Sequence, residues 1–122
     1  MTTGFAASLV NAWLDADYAT VWHKIHTADP GSAGTTAAAA GDTARKQSTM
    51  ASASAGSKAQ TGTAPVWTNG GTSESVSHLS QWTLVTAGTF KSSCALASPQ
   101  AWVSTNTLTL TSWSVSIAPI AA

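Results

Sequence analysis

The sequence predicts a mainly β protein: an antiparallel β-sandwich with one N-terminal α-helix and a long low-complexity arm or loop. Three observations carry this. Beyond residue 64 the chain falls into short runs that alternate apolar and polar, broken by turn residues at roughly 8–12-residue spacing. Only one segment, near the start, has helical periodicity. Between the two, residues 27–63 are dominated by Ala, Gly, Ser and Thr. At 122 residues the chain is expected to be a single domain, 1–122. A domain of this size buries roughly two thirds of its unfolded surface, enough for a core without staples.

The helix is expected over residues 4–17, "GFAASLVNAWLDAD". Phe5, Leu9, Ala12, Trp13 and Ala16 form one apolar stripe, expected to pack inward, with Thr3 as N-cap. Asp15 and Asp17 sit at the negative end of the helix dipole and should terminate it. The period then changes. In "YATVWHKIH", Val21, His23 and Ile25 point one way and Trp22, Lys24 and His26 the other, as in a strand. "ADPG" ends it in a turn.

Residues 27–63 read as an extended arm or loop. Between Ile25 and Val66 the only large apolar residue is Met50. Such a segment cannot bury enough surface to order itself in isolation, so a neighbouring subunit is expected to hold it. From Arg45 on, small side chains suit an extended strand whose backbone lies close to another.

The main β region is expected over 64–118. "APVWT" leads into the turn at Asn69–Gly71. "SVSHLSQWTLV" places Val76, His78, Ser80, Trp82 and Leu84 on one face, and "GTFKSSCAL" does the same for Phe90, Ser92, Cys94 and Leu96. "AGT" at 87–89 is the turn between them. In the closing run "TLTLTSWSVSIAPI" the apolar phase flips: Leu108 and Leu110 are even, Trp113, Val115 and Ile117 odd. One register cannot bury both sets. Either a bulge near Thr111–Ser112 or a passage from one sheet to the other resolves the conflict.

Composition excludes several functions. Charged residues make up 8% of the chain, against about 25% in an ordinary domain. Five basic and five acidic residues cancel, so no field steers nucleic acid or anionic lipid. Such a surface suits a protein packed in an assembly. A lone cysteine, Cys94, forms no internal disulfide or Cys-based zinc site and is expected to be a small buried hydrophobe. No leader is evident and no apolar stretch approaches ~18 residues, so no membrane contact is expected.

The most reactive-looking stretch is "HKIHTAD". On a strand His23 and His26 face opposite ways and do not share an ion, and Asp29 precedes Pro30 in a turn where it bonds its own backbone. Glu74 is the only glutamate, and no phosphate loop, nucleophile elbow or zinc-protease motif occurs. No catalytic, cofactor-binding or metal-ligating residue is assigned, and no cofactor is expected. Six tryptophans are many for this length; Trp13 fits the helix and Trp22, Trp67, Trp82, Trp102 and Trp113 the strands. Core packing is their first reading, and subunit-interface anchoring the second. The candidate interface residues are Trp22, Trp67 and Trp102, with Arg45, Lys46 and Met50 of the extended segment.

The order "FAASLVNAWLDA", "VWHKIHTADPGSAGT", "ARKQSTMASASAG", "APVWTN", "ESVSHLSQWTLVTAGTF" and "TLTLTSWSVSI" resembles a family of small tailed-bacteriophage virion proteins, the minor tail or tail-fibre-like proteins of actinobacteriophage type. The strongest points are residues 24–35, Arg45 and residues 77–90. The chain departs from the family in its Ala/Ser/Thr-rich middle and its "TSWSVSIAPIAA" ending. The resemblance implies a non-enzymatic virion protein, assembled in the bacterial host cytoplasm. Its partners would be the major capsid protein or other virion proteins, with self-association. Low charge, short length and the coreless arm favour an accessory capsid protein that reinforces or decorates the shell. The alternative is a minor tail, tail-fibre or tail-tip subunit, and the third reading a glycan-binding module.

Overall fold

A computed structural model describes residues 3–118 and has the expected class: mainly β, antiparallel and sandwich-like, with one N-terminal helix. The elements are α1 (Ala7–Asp17), β1 (Val21–His26), β2 (Lys46–Met50), β3 (Ser57–Thr61), β4 (Val66–Thr68), β5 (Glu74–Trp82), β6 (Phe90–Trp102), β7 (Thr107–Thr109) and β8 (Ser114–Ser116). Six strands form one curled sheet in the order β6-β5-β1-β2-β3-β8, and β4 and β7 form a ribbon. The core lies where ribbon meets sheet: Ile25, Ala39, Trp67, Val76, Leu79 and Trp102 are buried, with Cys94, Leu96, Leu108 and Trp113 packed on them. Burial alternates along β1, and Val21, His23 and Ile25 all face inward.

Two bulges break the faces expected from simple alternation. A shift between Val76 and His78 sends Val76 into the core beside Leu79, not onto the face of Ser80 and Trp82. A second, at Gln81/Trp82, leaves Lys91 unpaired and brings Phe90 to Trp82, off the face of Ser92 and Cys94. Alternation alone cannot reveal an inserted residue. The phase flip near Thr111 is resolved by passage between sheets: β7 pairs β4 in the ribbon, and β8 pairs β3 in the main sheet. Residues 119 and 120 of that expected run lie outside the described residues.

The helix is rotated relative to expectation. Val10 and Leu14 are buried, whereas Phe5, Leu9 and Trp13 are 41%, 43% and 40% exposed. The cause is polar. Gly56 N–H donates to Asn11 Oδ1 at 2.8 Å, and Asp15 Oδ1 accepts from Ala53 N–H at 2.9 Å and Lys58 Nζ at 2.6 Å. These bonds turn the Asn11–Asp15 flank to the protein and the apolar stripe away from it. Thr3 does not cap α1; Ala6 stands at the N-cap and offers no side-chain acceptor.

Residues 27–63 are held by the chain itself, which corrects the expectation that a neighbour must do it. β2 and β3 are interior strands of the sheet. β2 pairs β1 through Lys46–Ser48 and β3 through Thr49 and Met50. Along the same edge of β1, the alanine run continues the pairing: Ala39 N–H donates to Ile25 O, and Thr27 N–H to Ala37 O. Larger residues from elsewhere seize the remaining backbone. Glu74 accepts from the Ala40 and Gly41 amides, and Trp67 Nε1 donates to Ala44 O. Small side chains contribute little burial, but their backbone is fully available for such bonds. Gly41 packs so tightly that an added Cβ would lie 2.7 Å from Asn69 and 2.8 Å from Trp102.

Candidate interaction surfaces

The two histidines of β1 face opposite ways, as the strand period requires. His23 is buried in the core face, its ring T-shaped to Trp113 at 5.0 Å and its Nδ1 3.5 Å from Gln81 Nε2. Gln81 Oε1 accepts from Ser92, which accepts from Tyr18. His23 Nε2 has no partner among the described residues, and burial pushes the ring's pKa down from 6.5 to about 4. On the other face, His26 Nδ1 donates to Thr36 O at 2.9 Å, which assigns Nε2 as acceptor from Ser80 Oγ at 2.7 Å. Ser80 in turn accepts from Trp82 Nε1 at 2.8 Å. Burial lowers the pKa of His26 as well. His26 therefore fastens the 30–36 turn to the sheet. Asp29 Oδ1 accepts from Gly31 N–H at 2.8 Å, the expected local turn. Among the described residues no group of three His, Cys, Asp or Glu is placed to hold a metal ion.

The six candidate interface residues separate. Trp67 and Trp102 are 0% and 1% exposed and belong to the core. Their indoles reach Ala44 O and Asn106 O, which satisfies the polar edge and allows full burial. They present no surface for a partner. Trp22 and Met50 are half-buried on β1 and β2, and Lys46 lies 3.7 Å from Asp42.

Arg45 does something the sequence did not announce. Its guanidinium stacks 3.8 Å from the Trp82 ring centroid, and Nη1 donates to Leu84 O at 2.9 Å and Ala87 O at 2.6 Å. Arg45 thus clamps the hairpin between β5 and β6. Thr83 and Thr89 close the same hairpin, and Ala87 and Gly88 take positive φ. The clamped tip holds Leu84 and Val85 in water, 55% and 51% exposed. Nothing in the sequence separates these two from core residues; only the turn beside them hints at their place. A second feature is a cleft of about 220 Å³ between the outer end of β6 and the β7–β8 link, lined by Trp67, Leu79, Leu96, Leu108 and Leu110.

A β-sandwich-like core thus carries two apolar features turned to solvent, the Arg45-clamped hairpin tip and the outward face of α1. No helix among the described residues is long and apolar enough to cross a membrane. A family model described as Podophage GP4 fiber I protein gp80 matches residues 1–118. The chain belongs to this family of phage fibre structural proteins and is a component of the virion. The match supports fibre-like character without restricting it to the actinobacteriophage type. No curated protein matches the chain.

Proposed function

We propose that this protein is a non-enzymatic subunit of the phage tail-fibre apparatus, acting as a single domain that joins other virion proteins. The observation that carries this is the fibre-family match over residues 1–118, which favours the tail-fibre reading over reinforcement of the capsid shell. The clamped hairpin tip supports it in physical terms. Leu84 and Val85 are held out by Arg45, so ordering costs on binding are already met. Trp22, half-buried on β1, and Lys46 and Met50, half-buried on β2 on the opposite face of the sheet, are the remaining contact candidates.

Antibody labelling of intact virions tests the reading. Label at the tail fibres is the expected result, and label spread over the head shell would overturn it. A Leu84→Asp, Val85→Asp variant should fold normally yet fail to enter virions. Unimpaired incorporation would remove the tip from the interface.

A further inference from the structure

We propose that the pocket beside the hairpin tip binds a carboxylate carried by an apolar peptide segment of a partner protein. The proposal rests on the reading of the tip as a contact surface and names the chemistry of what meets it. The pocket holds about 350 Å³ and is lined by Lys24, Thr43, Arg45, Val85, Thr86 and Ala87. The distribution of charge singles it out. Of the five lysines and arginines, Lys46, Lys58 and Lys91 each face a carboxylate, at 3.7, 2.6 and 3.7 Å. The other two, Lys24 and Arg45, have none among the described residues, and both line this one pocket. No acidic residue lines it. Asp42, next to Thr43 in the chain, is taken up by the Ala44 amide and Lys46, and Asp29 and Glu74 accept from backbone amides elsewhere. A chain of zero net charge thus gathers two unneutralised positive charges in one place.

Donors for an anion are present. Lys24, whose Nζ has no partner among the described residues, stands half-buried at the pocket wall. Arg45 uses Nη1 alone, on Leu84 O and Ala87 O, and its stacking on Trp82 fixes the guanidinium plane. Nε and Nη2 are left without acceptors among the described residues. A planar fork of this kind takes a carboxylate through two parallel bonds. Thr43 and Thr86 add hydroxyls. Partial burial disfavours the Arg45 charge and holds its pKa below the ordinary arginine value. An anion alongside offsets that cost. The apolar surroundings select the anion's carrier. Val85 lines the pocket, Leu84 precedes it, and both are more than half exposed. An exposed ion pair alone stabilises little, so the fit needs apolar contact as well. A peptide with a leucine-like side chain beside its carboxylate meets both demands. Inorganic phosphate or a uronic acid meets only the charge.

Titration of the isotope-labelled full chain with N-acetyl-leucine, followed by amide chemical shifts, tests this. Saturable shifts centred on Val85, Thr86 and Ala87 are expected. N-acetyl-leucinamide, with the same side chain and no charge, should bind about fivefold more weakly or worse. Lys24 is the residue to change, because Arg45 also holds the hairpin. Lys24→Gln should weaken N-acetyl-leucine about fivefold at unchanged Tm, and Lys24→Arg should keep the binding. Absence of saturable shifts would overturn the proposal. Equal binding of the neutral amide, or undiminished binding by Lys24→Gln, would overturn it too, since the site would then be the apolar tip alone. Parallel titrations with phosphate and with glucuronic acid complete the test. Tighter binding of either would overturn the peptide assignment in favour of a phosphate or an acidic sugar. Where antibodies label the virion is a separate result. Binding together with label on the head shell would overturn the fibre reading alone, and no binding with label at the fibres would overturn only the pocket.

Discussion

His23 is the residue where burial and titration are most tightly joined. Its ring is sealed in the core and held neutral, with a pKa pushed from 6.5 to about 4. The unfolded chain binds a proton near pH 6.5 that the native state refuses until about pH 4. The stabilisation is therefore complete above pH 6.5 and is lost as pH falls through that window. At 1.36 kcal/mol per pH unit, the loss amounts to about 3 kcal/mol. Denaturant unfolding from pH 7 to 4 should show this decline, and His23→Gln should make it shallower, leaving the part that His26, also depressed by burial, contributes. Gly41→Ala is predicted to cost about 1–3 kcal/mol, because its methyl group has no room between Asn69 and Trp102; a shift in denaturation midpoint reads it. At this scale much was legible. The period of two separates His23 from His26, and the Pro30 turn gives Asp29 its local bond. The burial of Trp67 and Trp102 was not legible as against an interface role, since an alternating pattern does not say what covers each face.

At the scale of elements, hydrogen-bonding side chains decide orientations that apolar patterning leaves open. The α1 stripe was readable, but its direction was not. Asn11 and Asp15 fix it through partners more than forty positions away for Gly56 and Lys58. The bulges beside Val76 and Trp82 were hidden for a related reason: each inserts residues without any change in composition. The phase flip at Thr111 did announce a discontinuity, and the separate pairing of β7 and β8 accounts for it. Arg45 controls the β5–β6 hairpin in the same long-range manner. Arg45→Ala removes two bonds to carbonyls and a ring contact, and should cost about 1–2 kcal/mol. Amide exchange at Thr83 and Thr89 should quicken most. Arg45→Lys should fall between, since an ammonium keeps the charge but lacks the planar fork.

At the scale of the whole molecule, the low-complexity segment is part of the sheet. Its strands β2 and β3 join β1 to β8, so removing residues 32–60 would sever the sheet as well as a loop. The sequence concealed this because Ala, Ser and Thr bring almost no burial; order arrives through backbone bonds to Ile25, Glu74 and Trp67, which lie outside the segment. Unfolding should consequently be one cooperative transition, with tryptophan fluorescence and far-UV circular dichroism coincident. The most direct test is hydrogen exchange on the isolated chain, dilute enough to be monomeric. Ala39, Gly41 and the paired amides of β2 and β3 should be protected to a degree comparable with β1 and β5. Exchange from Thr36 to Gly62 at unstructured rates, with β1 and β5 still protected, would contradict it.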